Sequence, residues 1–480
     1  MKEPHALRDR RRASLRTHLL RRLPAAAGLR RSRHDVDITP TDPLPTRLPL
    51  VASDMLSVTG RRTAETLARR GGLAVLSHDL PEHEVARCVN AVKAAHPLWQ
   101  SAPVTPADTR AGQVRHLADA YGHGCVVVTD AAGDQVGTVR ATPLRRAIGH
   151  ERMGDLAVRP PVLAPDTFVR DAFAFLDERG ADHALVPLPG RPGTIATRRG
   201  MVRSQVFRPA LDTRGELLTA IAVGMTGDAV QRARRCVGHG ADVVVLHTPH
   251  AAQGPARDAV ARLREAIGDR VLVAGVAVTG EATEGLIRAG ADVVKVGLGG
   301  GAMCTTRMMT GVGRPQFTAV QECARAAREH GRTVWSDGGI RHPRDVVLAL
   351  AAGASSVMVG SWFARTLESP SLLMREPDGE AYKECFGIAS RKAVADRSSG
   401  MAPIDRELAA YFDEGLSSSR LRVNPEEAGV EDVIDRIAAG LRSGCTYAGV
   451  TSLAELGERA VIGLQSAAGY AEGVPLPRGW

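Results

Sequence analysis

The sequence predicts a closed (β/α)8 barrel interrupted by an insertion, and three observations carry that prediction. Eight short apolar runs recur along the chain: Leu48 to Ala52, Leu73 to Leu76, Leu218 to Val223, Val243 to Leu246, Val271 to Gly275, Val293 to Val296, Thr333 to Trp335 and Val357 to Val359. They are near-continuous rather than alternating, as strands buried on both faces must be. Helix-period stretches such as Asp228 to Gly238 and Arg344 to Ala352 stand between several of them, and eight strand-helix units favour a closed barrel over an open sheet. One interval breaks the rhythm, because about 140 residues separate the second run from the third where other gaps are about 20 to 40.

That interval holds an internal repeat. Pro106-Ala-Asp108-Thr109, a helical stretch, Val126 to Val128 and Gly137-Thr138-Val139 are echoed by Ala164-Pro-Asp166-Thr167, a helical stretch, Ala184 to Val186 and Gly193-Thr194-Ile195. Each unit is too small to bury a core alone, so the two are expected to pack as a pair. The expected division is a basic, disordered extension over residues 1–33, barrel over 34–96, insert over 97–208 and barrel again over 209–480. The stretch from Glu368 to Trp480 is loop-rich, with helical patterns near Val430 to Leu441 and Leu453 to Leu464.

Charge and composition exclude several classes. The net charge is +9, but residues 1–33 hold Lys2 and ten Arg against Glu3 and Asp9, which leaves 51 basic and 51 acidic residues in the body. The basicity belongs to the extension, and the body has no global field to draw a polyanion. No nucleic-acid partner is expected. Seven Cys with no CxxC spacing argue against a disulfide framework and a zinc site, which points to a reducing cytoplasm. No apolar run approaches the roughly 18 residues of a membrane span.

In a barrel of this type the active site is built on the loops after the strands. After the sixth run comes Lys295-Val-Gly297-Leu-Gly299-Gly300-Gly301-Ala-Met-Cys304-Thr305-Thr306-Arg307. Consecutive Gly residues let the backbone fold tightly and place one Cys beside two hydroxyls on an exposed loop. Cys304 is either a small filler there or a nucleophile. After the seventh run stands Asp337-Gly338-Gly339, and after the eighth Gly360-Ser361. Backbone amides in these loops suit a phosphate and a carboxylate suits two ribose hydroxyls, so a nucleoside 5′-phosphate is one reading, and a helix cap with turn glycines the other.

The segment Gly300-Gly-Ala-Met-Cys304-Thr-Thr-Arg307 with Thr310-Gly-Val-Gly313-Arg-Pro-Gln316, Asp337-Gly-Gly-Ile340, Gly360-Ser361 and Tyr382-Lys-Glu-Cys-Phe-Gly387-Ile-Ala-Ser390 resembles the IMP dehydrogenase/GMP reductase family. Gly60-Arg-Arg-Thr-Ala-Glu-Thr66, Trp335 and Arg341-His-Pro-Arg-Asp345 are most similar to its CBS-containing GMP reductases. The resemblance implies a TIM barrel with an inserted pair of CBS modules, a purine nucleotide monophosphate as substrate, NADPH as cofactor and a homo-tetramer or octamer. By motif position it makes Cys304 the nucleophile at C2 of the purine, with Thr306 and Glu414 handling the departing ammonia. It gives Asp337 the ribose diol, Gly339, Gly360 and Ser361 the phosphate, Met55 the purine face and Gly387 the base. Backbone carbonyls of Gly299, Gly301 and Cys304 match a monovalent-cation loop that takes potassium. His247, Thr248 and His250 fall where the family binds its cofactor, although the family's Asp is here His247, and Val276, Gly300 and Cys385 replace an Asn, a Pro and an aromatic.

A dehydrogenase of this family hydrolyses the Cys adduct with an adjacent Arg-Tyr on a mobile flap. Between Arg391 and Gly415 neither Arg397 nor Arg406 precedes a Tyr. The hydrolysis step therefore has no evident base, and the expected activity is reductive deamination of GMP. The departures around His247 keep reduction of a related purine or 7-deazapurine nucleotide as an alternative, beside IMP dehydrogenase and a catalytically silent nucleotide-binding regulator. The CBS-like repeat carries Arg140, Pro143, Ala196 and Arg199 where nucleotide-binding copies have a hydroxyl and an Asp, so a structural insert is as well supported as an effector sensor.

Overall fold

The computed structural model describes residues 18–21, 32–225, 228–398, 400–409, 411 and 415–474. Its centre is a closed barrel of eight parallel strands: β1 (Leu50–Ala52), β2 (Leu73–Leu76), β3 (Ala220–Val223), β4 (Val243–His247), β5 (Val271–Ala277), β6 (Val293–Val296), β7 (Thr333–Asp337) and β8 (Ser356–Val359). Neighbours in sequence are neighbours in the barrel, and β8 closes on β1 with Val357 opposite Leu50 and Val359 opposite Ala52.

Strand alternation explains why the runs are apolar throughout. Val51, Leu73, Val75, Ala220, Ala222, Val243, Val245, Val273, Val293, Trp335 and Met358 form one buried cluster, while Leu50, Ala52, Ala74, Leu76, Ile221, Val244 and Leu246 join the larger cluster beneath the helices. Successive residues face opposite sides of a strand, so one set fills the bore and the other packs outward. Two residues beyond Val245, Val293 and Trp335 on the bore side come His247, Lys295 and Asp337. The same alternation that fills the bore thus sets three ionisable side chains at its mouth. The sequence runs stop short of His247 and Asp337 because an apolar count ends where the polar rim begins.

The insert lies between the helix Glu82–Ala94 and β3 and contains two small sheets. One is Val104–Pro106, Cys125–Thr129 and Gln135–Arg140; the other is Gln100–Ser101, Thr194–Thr197 and His183–Leu185. Each unit has its own apolar cluster. A third cluster of Ala102, Cys125, Val127, Leu185 and Ile195 joins them, which is the pairing the repeat predicts.

The insert docks through buried charge. Glu431, in the helix Val430–Ala448, accepts from Arg70 Nε at 2.7 Å, Arg203 Nη1 at 2.8 Å and Gln100 Nε2 at 2.8 Å. Burial opposes ionisation of Glu431, but Arg70 and Arg203 override it and push its carboxyl down to about 2. Close by, Glu368 accepts from the amides of Gly122 and Val430 at 2.8 and 2.9 Å. The Tyr121 hydroxyl donates to Glu65 at 2.5 Å.

Two expectations need correction. The C-terminal helical pattern from Leu453 ends at Arg459, and Val461–Leu464 is a strand. Its β-branched Val461 and Ile462 are at home there, because the strand pairs antiparallel with His18–Arg21. That partner lies inside the extension expected to be disordered; apart from residues 18–21 and 32–33, the extension falls outside the described residues. Among the described residues, no helix is long and apolar enough to cross a membrane, and all seven cysteines are free thiols.

Replacing Glu431 by Ala leaves buried Arg70 without a carboxylate and takes one of three from Arg203, which keeps Asp432 and Asp435, so Glu431→Ala is expected to cost about 3 kcal/mol in thermal or denaturant unfolding. The folded carboxyl near 2 lies below its ordinary 4.5. The Glu431 contribution is therefore complete above about pH 4.5 and is lost as pH falls through about 2. The stability difference between wild type and Glu431→Gln should shrink across that window.

Candidate active site

The loop after β6 is shaped by close backbone approach. A Cβ on Gly297, whose φ is +151°, would lie 2.0 Å from the Asp337 carbonyl oxygen. One on Gly338, with φ +85°, would meet the Gly301 amide at 3.1 Å. The glycines after β6 and after β7 therefore run against each other with no room for side chains. Arg307 braces the loop from below, donating from Nε to the Leu298 carbonyl at 2.7 Å and from Nη2 to the Arg314 carbonyl. Buried Gln316 adds bonds to the Val296 carbonyl at 2.7 Å and Ser336 Oγ at 3.1 Å.

This loop presents Cys304, the exposed member of a set of cysteines that is otherwise buried or half-buried. Its Sγ donates to Thr306 Oγ1 at 3.2 Å, and its amide donates to the Gly301 carbonyl at 3.2 Å. Thr306 opens the short helix Thr306–Thr310, so thiol and hydroxyl are held by one turn. Cys304 also bridges Gly415 across an antiparallel contact. Leu416 donates to the Met303 carbonyl at 3.0 Å and Gly387 donates to the Leu416 carbonyl at 2.9 Å. The Cys304 loop, the Gly387 segment and the segment at Gly415 and Leu416 thus meet backbone to backbone. Glu414 lies outside the described residues, whereas its chain neighbour Gly415 is the residue that touches the Cys304 backbone.

The expected substrate positions fall at the same end of the barrel. Asp337 ends β7, and Gly339 follows in the loop facing Gly300. Gly360 is the N-cap of the helix Ser361–Ala364, and a Cβ there would sit 3.5 Å from Met55 Sδ. Met55, Gly360 and Ser361 are therefore brought together after β1 and β8. Cys385, by contrast, is packed in the core 3.3 Å from Ser57 Oγ.

The three residues after β4 do not act alike. Thr248 is buried, its backbone pairs with Gly275 and Val276 across β5, and its hydroxyl accepts from the His250 amide at 3.4 Å; it serves the turn. His250 is exposed. His247 turns into the mouth, with Nδ1 2.7 Å from Asp54 Oδ2 and 3.3 Å from Lys295 Nζ. Its ring stacks on His78 at 5.3 Å between centroids.

Lys295 is fully buried and lies 3.4 Å from Asp337 Oδ2 and 3.8 Å from Asp54 Oδ1. Burial works against its charge, but Asp54 and Asp337 hold its ammonium above the ordinary lysine range. For Asp54, burial favours the neutral acid, and the charges of His247 and Lys295 override it, so the carboxyl is held well below the usual range. Burial pushes His78 down to about 4 despite neighbouring Asp79.

Sequence reasoning gave Asp54, Lys295, Arg307 and Gln316 no role. The signal was present for Lys295, a cation at the end of an otherwise apolar strand. None marks Asp54, since its partners lie on distant strands. A cavity of about 840 Å³ lies elsewhere, between insert and barrel, lined in part by Arg140, Arg145, Arg365 and Arg422; Cys304 sits at an open surface instead.

Adding one methyl at Gly297 must displace the Asp337 carbonyl or the loop. Gly297→Ala is expected to destabilise the fold by about 1 to 3 kcal/mol and to lower turnover at least tenfold, read by thermal melting and steady-state kinetics.

The family model described as the IMP dehydrogenase / GMP reductase domain matches residues 20–475. A GMP reductase of Mycobacterium tuberculosis is 48% identical over 454 residues, 94% of each chain. An inosine-5′-monophosphate dehydrogenase of Nitrosopumilus maritimus is 32% identical, covering 93% of this chain and 94% of its own. Among solved structures, a variant of the GMP reductase of Trypanosoma brucei in complex with guanosine 5′-monophosphate superposes with a TM-score of 0.69 at 26% identity, over 98% of both chains. A closed parallel barrel with a Cys-bearing glycine loop after its sixth strand, matched over nearly its whole length, belongs to the IMP dehydrogenase/GMP reductase family.

Proposed function

We propose that the chain is a GMP reductase, converting GMP to IMP and ammonia at the expense of NADPH. The observation that carries this reading is Cys304, exposed on a braced loop with Thr306 Oγ1 3.2 Å from its sulfur, in a chain 48% identical to a GMP reductase. The Cys304 sulfur attacks C2 of the purine, the C2–N bond breaks, and the amino group leaves as ammonia carrying the thiol proton. In this reading Thr306 and Glu414 handle the departing nitrogen, the roles that the family resemblance gives them. NADPH, when bound, supplies the hydride that C2 then receives. The C–S bond breaks, IMP is released, and Cys304 leaves as thiolate to be reprotonated from solvent.

The residues at the mouth suit both substrates. Asp337 is a half-buried carboxylate at the strand end, suited to two ribose hydroxyls, while Gly339, Gly360 and Ser361 offer backbone amides to the phosphate. Met55 supports the purine face, and Gly387, held against Met303 and Leu416, offers backbone to the base. On the other face of the mouth His247, stacked on His78, and the exposed His250 offer ring N–H groups to the hydroxyls or carboxamide of the nucleotide. Thr248, assigned to the cofactor from the sequence, supports that face through its turn. The carbonyls of Gly299, Gly301 and Cys304 share one tight loop, an oxygen set that suits a monovalent cation such as potassium. The paired units of the insert are read as CBS modules, with the chain assembling as a tetramer or octamer.

Reduction is favoured over dehydrogenation by the commitment of Arg397. Its guanidinium bonds Asp79 Oδ2 and the Ile388 carbonyl, each at 3.0 Å, and no Tyr follows it. Arg406 is likewise followed by Glu407 and not by Tyr, so the segment lacks the Arg-Tyr pair on which hydrolysis of the adduct would rely.

With GMP and NADPH, purified protein should consume NADPH and release one ammonia per IMP formed. Cys304→Ala should lower the rate by about a thousandfold or more while leaving GMP binding measurable by calorimetry. Formation of XMP from IMP and NAD at a comparable rate would overturn the reading. Replacing potassium by a bulky organic cation should lower turnover; an unchanged rate would remove the cation loop from the account.

A further inference from the structure

Asp54 is the least explained charge in the molecule. It follows β1, is almost wholly inaccessible, and has Oδ2 with no hydrogen-bond partner other than the His247 ring. Its two oxygens are divided, Oδ2 at 2.7 Å from His247 Nδ1 and Oδ1 at 3.8 Å from Lys295 Nζ. A carboxylate taken out of water costs several kcal/mol unless its partners compensate; the Ser53 hydroxyl donates to Oδ1 at 3.5 Å, and the two ionic partners come from across the barrel, from the ends of β4 and β6.

The groups facing His247 are few. Asp54 and Lys295 meet its Nδ1 edge, His78 covers one ring face, and Asp79, paired with Arg397, stands behind His78. Nε2 makes no hydrogen bond among the described residues, and the side chain stays partly open to the mouth. A carboxylate at Nδ1 fixes the proton on that nitrogen and the plane of the ring, so Nε2 is presented in one direction.

We propose that Asp54 is a positioning residue: it holds His247 so that Nε2 meets a hydroxyl or carboxamide group of the pyridine nucleotide beside Cys304. The assignment rests on the reductase reading above. Asp54 itself touches neither substrate and acts only through His247, so its effect belongs to the nucleotide side of the mouth and not to the GMP side.

The test is a double-mutant cycle on the full chain, with KM for NADPH and for GMP measured for wild type, Asp54→Asn, His247→Asn and the pair. Each single change is expected to raise KM for NADPH about tenfold and to move KM for GMP less than twofold. The double variant should be no worse than the poorer single, because the two side chains act as one unit. A multiplicative loss in the double variant, an equal rise in both KM values, or wild-type kinetics in Asp54→Asn would overturn the proposal. Should Asp54→Asn fail to fold by circular dichroism, Gln at position 247 replaces the cycle: His247→Gln keeps a donor near the Nε2 position but loses the Asp54 contact. It must then raise KM for NADPH selectively, or the proposal fails. The parent reading fails separately, through absence of NADPH consumption with GMP in the wild type.

Discussion

The mouth of the barrel is organised around a buried cation. Lys295 stands one inward step above Val293, where alternation along β6 leaves it no route to solvent. An ammonium there is stable only if carboxylates meet it, and Asp54 and Asp337 do so from β1 and β7. Their presence in turn places a third polar group, His247, against Asp54. The charged rim is thus the electrostatic answer to one residue that the strand register forces inside.

Around that charged centre, shape is set by backbone rather than by side chains. Glycines after β6 and β7 pass each other at a distance that excludes a Cβ, and Gly387 lies against the Met303 carbonyl and Gly415. Three loops from separate parts of the chain are locked together this way, with Cys304 at their junction. A side chain carried on a loop held by backbone contacts keeps its position when exposed side chains move, which allows Cys304 to be both accessible and oriented.

The barrel was legible in the sequence because buried strands are apolar on both faces, and helices between them carry their own period. The Cys304 loop and the position of Asp337 at the barrel mouth were legible because Gly-rich turns directly after apolar runs mark the loops at strand ends. What was not legible depended on distance in sequence. Asp54 and His247 lie nearly two hundred residues apart, and Glu431 reaches Arg70 and Gln100 across most of the chain; nothing local marks such pairs. Thr248 is a different case, since its motif position points to a ligand while its burial and the bond its hydroxyl accepts from the His250 amide, which the sequence does not show, tie it to the turn. The strand Val461–Leu464 was hidden because its partner lies more than four hundred residues upstream.

That two-stranded pairing has a bearing on how the ends of the chain are handled. His18–Arg21 and Val461–Leu464 form an isolated ribbon of four residues each, a size that has little stability of its own and leans on the helices Pro343–Ala351 and Val430–Ala448. Trimming the arginine-rich start would leave Val461–Leu464 with open amides and carbonyls and with Val461 and Leu464 already exposed. Such an edge recruits strands from other molecules. The strand His18–Arg21 thus covers one edge of Val461–Leu464 that would otherwise stand open.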